Sequence, residues 1–259
     1  MINLQQIFEQ YPNSLRSHKE SILKEYLQCK ILYIIFESKY ANKLSFLGGT
    51  ALRILYNNTR FSEDLDFDSF GIDLDEFTNL GKIIKENLER EGLKVEIEVK
   101  TKNNLRIKIR IPELLFDLNI SPLLNQKILI QVDVAPKMFD YVPDEVILNK
   151  FEVFTKIYTT PKDILLSQKI YTAFNRKRIM GRDFFDIVFL YGIGATPNFD
   201  FLNKELGIKN NEELRRYLLD KSKEIDFNLL AKDIEPLILN EKDKNRVVLF
   251  RQFVEDNIS

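Results

Sequence analysis

The chain has 259 residues, 44% apolar and 30% charged, ordinary values for a globular protein able to bury an ample core in one large domain or two modest ones. Lys and Arg number 38 against 39 Asp and Glu, and the resulting formal net charge of −1 excludes a protein that holds nucleic acid through a global positive field, while a local basic groove remains open to it. A single cysteine, Cys29, excludes an internal disulfide and suits a reducing cytosol. The first residues, MINLQQIFEQYPNSL, lack the basic start and apolar core of a signal peptide, and no apolar run approaches the length of a membrane span. A cytoplasmic protein without a membrane partner is expected.

The first strong pattern is helical, from about Ser14 to Glu37, where Ile22, Leu23, Tyr26, Leu27, Ile31, Ile34 and Ile35 recur at three- and four-residue steps. His18, the only histidine, stands at the charged start of this helix and has no cluster of ligand-type neighbours, so it reads as solvated. Phe46 to Phe67, FLGGTALRILYNNTRFSEDLDF, then reads as a short apolar strand, Gly48-Gly49, a helix from Thr50 to about Tyr56, a polar loop and a second strand. A helix follows from about Asp73 to Glu91, with acidic residues at its start that favour the positive end of its dipole. Alternation over Leu93–Thr101 and Leu105–Ile111, with Lys102-Asn103-Asn104 as the turn, predicts a hairpin with one polar face. Ile128 to Ala135 predicts another strand, ending before Pro136, with Gln131, Asp133 and Ala135 on the side opposite Ile130, Val132 and Val134. Val146 to Tyr158 predicts one or two more. At Pro161 the pattern turns wholly helical, with elements over 161–177, 182–191, 199–206, 211–223, 227–234 and 243–255. The expected organisation is an α+β fold in two domains, a mixed-sheet α/β domain over 1–160 and a helical domain over 161–259 that closes a cleft.

The chemistry concentrates in the Gly-Gly to Asp-x-Asp stretch. Asp64 and Asp66 lie two apart on a strand and so share a face, where two carboxylates repel unless a cation sits between them. Gly48 and Gly49 open a helix whose free N–H groups favour phosphate and whose missing Cβ atoms admit a close ligand. If the strand carrying Asp133 lies beside this one, three carboxylates converge, enough for two Mg²⁺ ions. Solvent-facing strand residues are the structural alternative, and an isolated D-x-D would favour it. Asp68 also falls on this face but ranks below the pair, because the apolar alternation ends at Phe67. Lys162, Lys169 and Arg176 recur every seven residues on one helix and form a cationic stripe suited to triphosphate oxygens, or simply a solvated basic face. Asn175 to Arg178 and Arg182 form a basic patch. Beyond it Asp183 and Asp186 share a helical face, where Asp183 could favour the helix start and Asp186 could pair with Arg182. One His and one Cys leave little room for nucleophile–base hydrolysis, and zinc spacings and a P-loop are absent.

In their order, GGTALRILY, RFSEDLDF, IQVDVAP, LSQKIYTAFNR and RDFFDIVFL resemble the AbiEii/AbiGii-type nucleotidyltransferases, toxins of type IV toxin–antitoxin and abortive-infection systems with a DNA polymerase β-like fold. The resemblance runs from about Phe46 to Tyr191. It implies that Gly48, Gly49 and Ser62 contact nucleotide phosphate, that Asp64 and Asp66 bind Mg²⁺ or Mn²⁺ with Asp133 as third carboxylate, and that Lys169 binds the triphosphate, with Arg176 beside it. One of Asp183 and Asp186 corresponds to the family's late functional aspartate. The implied reaction is transfer of a nucleotide from an NTP to an acceptor, a tRNA 3′ end first among them, with a cognate antitoxin encoded nearby. Two rivals remain: the same chemistry on a protein or small-molecule hydroxyl, and a non-catalytic module that binds nucleotide or a partner.

Overall fold

Alternation of β-branched residues with charges over Leu105–Ile111 gives a strand of those bounds, with Ile107, Ile109 and Ile111 buried and Arg106, Lys108 and Arg110 half-buried. The computed structural model describes residues 3–101 and 105–258, so the expected turn at Lys102-Asn103-Asn104 lies outside the described residues. The chain forms two compact units, one of Met1–Asn57 and Phe61–Thr160, the other of Asn58–Arg60 and Pro161–Ser259.

The first unit is built on a seven-stranded mixed sheet of β1 (Leu44–Leu47), β2 (Leu65–Ser69), β3 (Glu96–Lys100), β4 (Leu105–Ile111), β5 (Ile128–Pro136), β6 (Asp144–Lys150) and β7 (Val153–Thr159). The spatial order is β3-β4-β5-β2-β1-β7-β6. β2 runs parallel to β5 and β1 parallel to β7; the other neighbours are antiparallel. Its helices are α1 (Leu4–Glu9), α2 (Lys19–Phe36), α3 (Gly48–Tyr56), α4 (Leu74–Arg90) and the single turn α5 (Leu114–Asp117). The helix expected from Ser14 begins at Lys19, because His18 has a non-helical backbone and a short 3-10 turn, Asn13–Leu15, precedes it. The His18 ring lies 5.8 Å from that of Phe61. α4 starts where the sequence signals it: Asp73 caps the Glu76 amide and Glu76 returns the bond to Asp73, a complete capping box.

One face of the sheet packs against α2 and α4. Phe67 of β2 meets Phe46 at 5.4 Å and Phe36 of α2 at 6.2 Å, all three rings buried. Each such side chain, fully buried, contributes roughly 1.5–3 kcal/mol. The period of two then commits the opposite face to polar residues. α2 is buried on most sides and takes Glu25 inside with it, at 2% exposure. There Glu25 accepts from Arg53 Nε at 2.7 Å and Tyr11 Oη at 2.9 Å and also pairs with Lys150. Arg53 belongs to α3, so this buried pair ties α3 to α2.

The second unit contains α6 (Lys162–Asn175), α7 (Gly181–Gly192), α8 (Phe199–Leu206), α9 (Asn211–Lys221), α10 (Phe227–Ile234), α11 (Asn245–Val248) and α12 (Phe250–Asn257). Asn198, Asn210 and Asp226 cap α8, α9 and α10 by accepting first-turn amides. Its core gathers around Phe184, whose ring meets Phe174, Phe227 and Phe250 edge-on at 4.8–5.4 Å. α7 approaches α10 closely enough that a Cβ on Gly181 would lie 2.2 Å from the Leu230 carbonyl oxygen. Among the described residues no helix is long and apolar enough to cross a membrane.

Burial pushes the Glu25 carboxyl up, but Lys150 and Arg53 outweigh it and hold its pKa below the ordinary value of 4.5. That stability is therefore complete above about pH 4.5 and is lost as the pH falls through the lower, folded-state value. Glu25→Gln is expected to lower unfolding stability by about 3 kcal/mol at neutral pH and to flatten the acid limb of the stability–pH curve. Urea titrations across pH check both, and a change under about 0.5 kcal/mol would contradict the assignment.

Candidate active site

The strand–glycine–helix unit positions the first cluster. β1 ends at Leu47, and Gly48 takes a φ of +82°, in the left-handed region that side chains avoid, to turn the chain into α3. A Cβ at Gly48 would lie 2.4 Å from Asp66 Oδ2, so the Asp66 carboxylate sits directly against the start of the helix and only glycine leaves room for it. No side chain caps the N-terminus of α3, and Gly49 is the buried second residue. The helix runs from Gly48, two residues earlier than the sequence pattern predicts, because Gly48-Gly49 form its first turn. Ser62 lies in the loop before Asp64, its carbonyl accepting from Gln28 Nε2 at 3.0 Å.

The pairing of β2 with β5 brings the expected aspartates to one sheet face. Asp66 and Asp133 are direct register partners, and Asp64 accepts from Gln131 Nε2 at 2.9 Å. Burial pushes the Asp64 carboxyl up, and the nearby Asp133 and Glu63 charges push the same way against the Gln131 hydrogen bond. Asp68, one position further along this face, is buried and accepts from Tyr141 Oη at 2.7 Å, and that hydroxyl also bonds Thr160 Oγ1 at 2.8 Å. Asp68 thus belongs to a side-chain hydrogen-bond network.

The expected trio of Asp64, Asp66 and Asp133 shares this face, with Asp133 held by a cation from the next strand. Among the described residues no group of three or more His, Cys, Asp or Glu stands placed to hold a metal ion. The partner of Asp133 is Arg106. It faces Asp133 across the β4–β5 ladder and grips both its oxygens, Nε to Oδ1 and Nη2 to Oδ2 at 2.9 Å. The alternation LRIKIRI already places Arg106 on the polar face of its strand, but carries no signal of its partner. The donor chemistry of Asp64 and Asp66, carboxylate oxygens alone, fits a hard divalent cation that takes one or two carboxylates and completes its shell from substrate phosphates.

The second unit assembles its own cluster. Asp186 on α7 is fully buried, and Arg60 holds it through Nε at 2.8 Å and Nη2 at 2.6 Å, with Asn58 Nδ2 at 3.0 Å and Lys169 Nζ at 2.8 Å. Burial pushes its carboxyl up, but Arg60 and Lys169 overcome that and hold it well below the usual carboxylate range. Asp183, 2% exposed, accepts from Arg176 Nη1 at 2.6 Å and lies 3.7 Å from Lys169 Nζ. Arg182, the local partner conceivable from the sequence, gives way to Arg60, which stands 126 positions away. Lys169 and Arg176 thus come together with both late aspartates, and Arg176 stands just past the last residue of α6. Lys162 is an exposed residue of its first turn.

Among the solved structures that share the fold are JHP933 and MenT4. JHP933 from Helicobacter pylori is 17% identical, with a TM-score of 0.56 over 92% of this chain and 93% of its own. MenT4, a nucleotidyltransferase toxin from Mycobacterium tuberculosis H37Rv, is 16% identical, with a TM-score of 0.58 over 99% of this chain and 90% of its own. No curated protein matches the sequence significantly. The family model for the nucleotidyl transferase AbiEii toxin of type IV toxin–antitoxin systems matches residues 30–256. The chain belongs to that family. It is a nucleotidyltransferase of the toxin class, using an NTP, and its family implies an antitoxin partner.

Asp186→Asn leaves Arg60 and Lys169 facing a neutral group in a buried site, and a loss of about 3–5 kcal/mol is expected in denaturant unfolding. A loss below about 1 kcal/mol would show that the cluster is solvated and not structural.

Proposed function

We propose that the chain transfers an NMP from an NTP to the 3′ end of an RNA, a tRNA first among them, and thereby blocks translation. The observation that carries this reading is the fit of Gly48 against Asp66. It sets a carboxylate beside an uncapped helix start whose N–H groups favour a phosphate oxygen. The acceptor hydroxyl oxygen attacks the α-phosphorus; the new O–P bond forms as the bond to the bridging oxygen breaks, pyrophosphate leaves and the hydroxyl proton is released. Gly48, Gly49 and Ser62 contact the phosphates. Asp64 and Asp66 hold Mg²⁺, or Mn²⁺ in its place. When bound, that ion neutralises phosphate oxygens and lowers the acceptor hydroxyl's pKa.

Lys169 and Arg176 serve the β- and γ-phosphates in this reading. The Lys169 ammonium carries three donors and its side chain is 15% exposed; that of Arg176 is 33% exposed. Asp183 and Asp186 act through the cations they hold. The cytoplasm, where NTP, RNA and an antitoxin encoded nearby coexist, is the proposed location. Near-zero net charge favours one alternative, the same transfer to a protein or small-molecule hydroxyl. Retention of Asp64 and Asp66 speaks against a non-catalytic nucleotide- or partner-binding module.

Incubating the protein with each α-labelled NTP, Mg²⁺ and total RNA or total protein tests this. Label is expected in RNA of tRNA size, lowered on the order of 10³-fold by Asp64→Ala or Asp66→Ala. Label in protein or a small molecule would replace the RNA acceptor. No label anywhere, with Asp64→Ala indistinguishable from wild type, would overturn the transfer reading.

A further inference from the structure

Across β3, β4, β5 and β2 a single row of register partners reads Lys100, Arg106, Asp133, Asp66. Two cations face two carboxylates. The Arg106 side chain is 39% exposed and the Asp133 side chain 20%, so the pair lies at the open face of the sheet and not in its core. The Arg106 neighbours Ile107, Ile109 and Ile111 are buried, which fixes the strand register and with it the position of the guanidinium. A second divalent ion shared by Asp66 and Asp133 would need oxygens of Asp133, and both of these are already bonded to Arg106.

We infer that Arg106 holds the place of a second cation: the site takes one divalent ion, and the guanidinium supplies the remaining positive charge through Asp133. Arg106 is then a positioning residue. A guanidinium is permanently charged and planar, so it satisfies a carboxylate bidentately without the exchange of ligands that a second ion requires. The inference rests on the proposed metal role of Asp64 and Asp66, and its test separates the two.

Mn²⁺ alone is titrated into the intact chain and bound ions are counted by electron paramagnetic resonance. One ion per chain is expected for wild type, two for Arg106→Gln, and one again for Arg106→Gln combined with Asp133→Asn, because the second site needs the freed carboxylate. Two ions in wild type, or one in Arg106→Gln, would overturn the inference. The wild-type count needs no substitution, so it decides even if a variant folds poorly. If Asp64→Asn and Asp66→Asn leave the wild-type ion in place, the metal role of that pair fails instead.

Discussion

Negative charge crowded onto one sheet face is the constraint around which the first unit is arranged. Asp64, Asp66, Asp68 and Asp133 stand on or beside two adjacent parallel strands, where unrelieved carboxylates would oppose the pairing that places them together. Each receives a different answer. Asp68 accepts from Tyr141, Asp133 is clamped by Arg106, Asp64 takes a neutral amide from Gln131, and Asp66 lies against the glycine start of α3. Asp68 and Asp133 thus each have a side-chain partner on this face. Asp64, its carboxyl pushed up by burial and by neighbouring carboxylates, still gains from a cation, which is the property a metal site requires.

The second unit meets a harder version of the same problem, since Asp186 is wholly buried. Isolated, an ionised carboxylate there would cost several kcal/mol; paired with Arg60, Lys169 and Asn58 it becomes a device for fixing position. Three elements converge on it: the segment Asn58–Arg60, α6 and α7. Asn58–Arg60 is also held by backbone, with Thr59 O accepting from the Leu239 amide and Arg60 bridging to Ile238. Lys169 therefore has its ammonium placed by two carboxylates.

Local chemistry was legible in the sequence. Alternation gave β4 to the residue, and the Asp73–Glu76 capping pair stands where α4 begins. The bounds of α8 and α10 follow from apolar spacing and Asn or Asp caps. Long-range pairing was not legible. Nothing near Asp186 announces Arg60, and nothing near Glu25 announces Lys150, because a salt bridge between distant positions leaves no periodic trace. Most of the order of strands was equally hidden, and with it the pairing of Arg106 with Asp133. The Asp-x-Asp pair was readable because a strand fixes which side chains share a face, and Asp133 followed on one condition, that its strand lies next to them, which the β2–β5 pairing meets.

If the Asp64–Asp66 pair carries the chemistry, the most direct measurement is pyrophosphate released from NTP in the presence of total RNA by Asp66→Asn, read beside its thermal melting. Relief of carboxylate repulsion predicts a variant that melts no lower than wild type, while pyrophosphate release falls on the order of 10³-fold. A variant that melts like wild type and releases pyrophosphate within about tenfold of it would contradict a site centred on that pair.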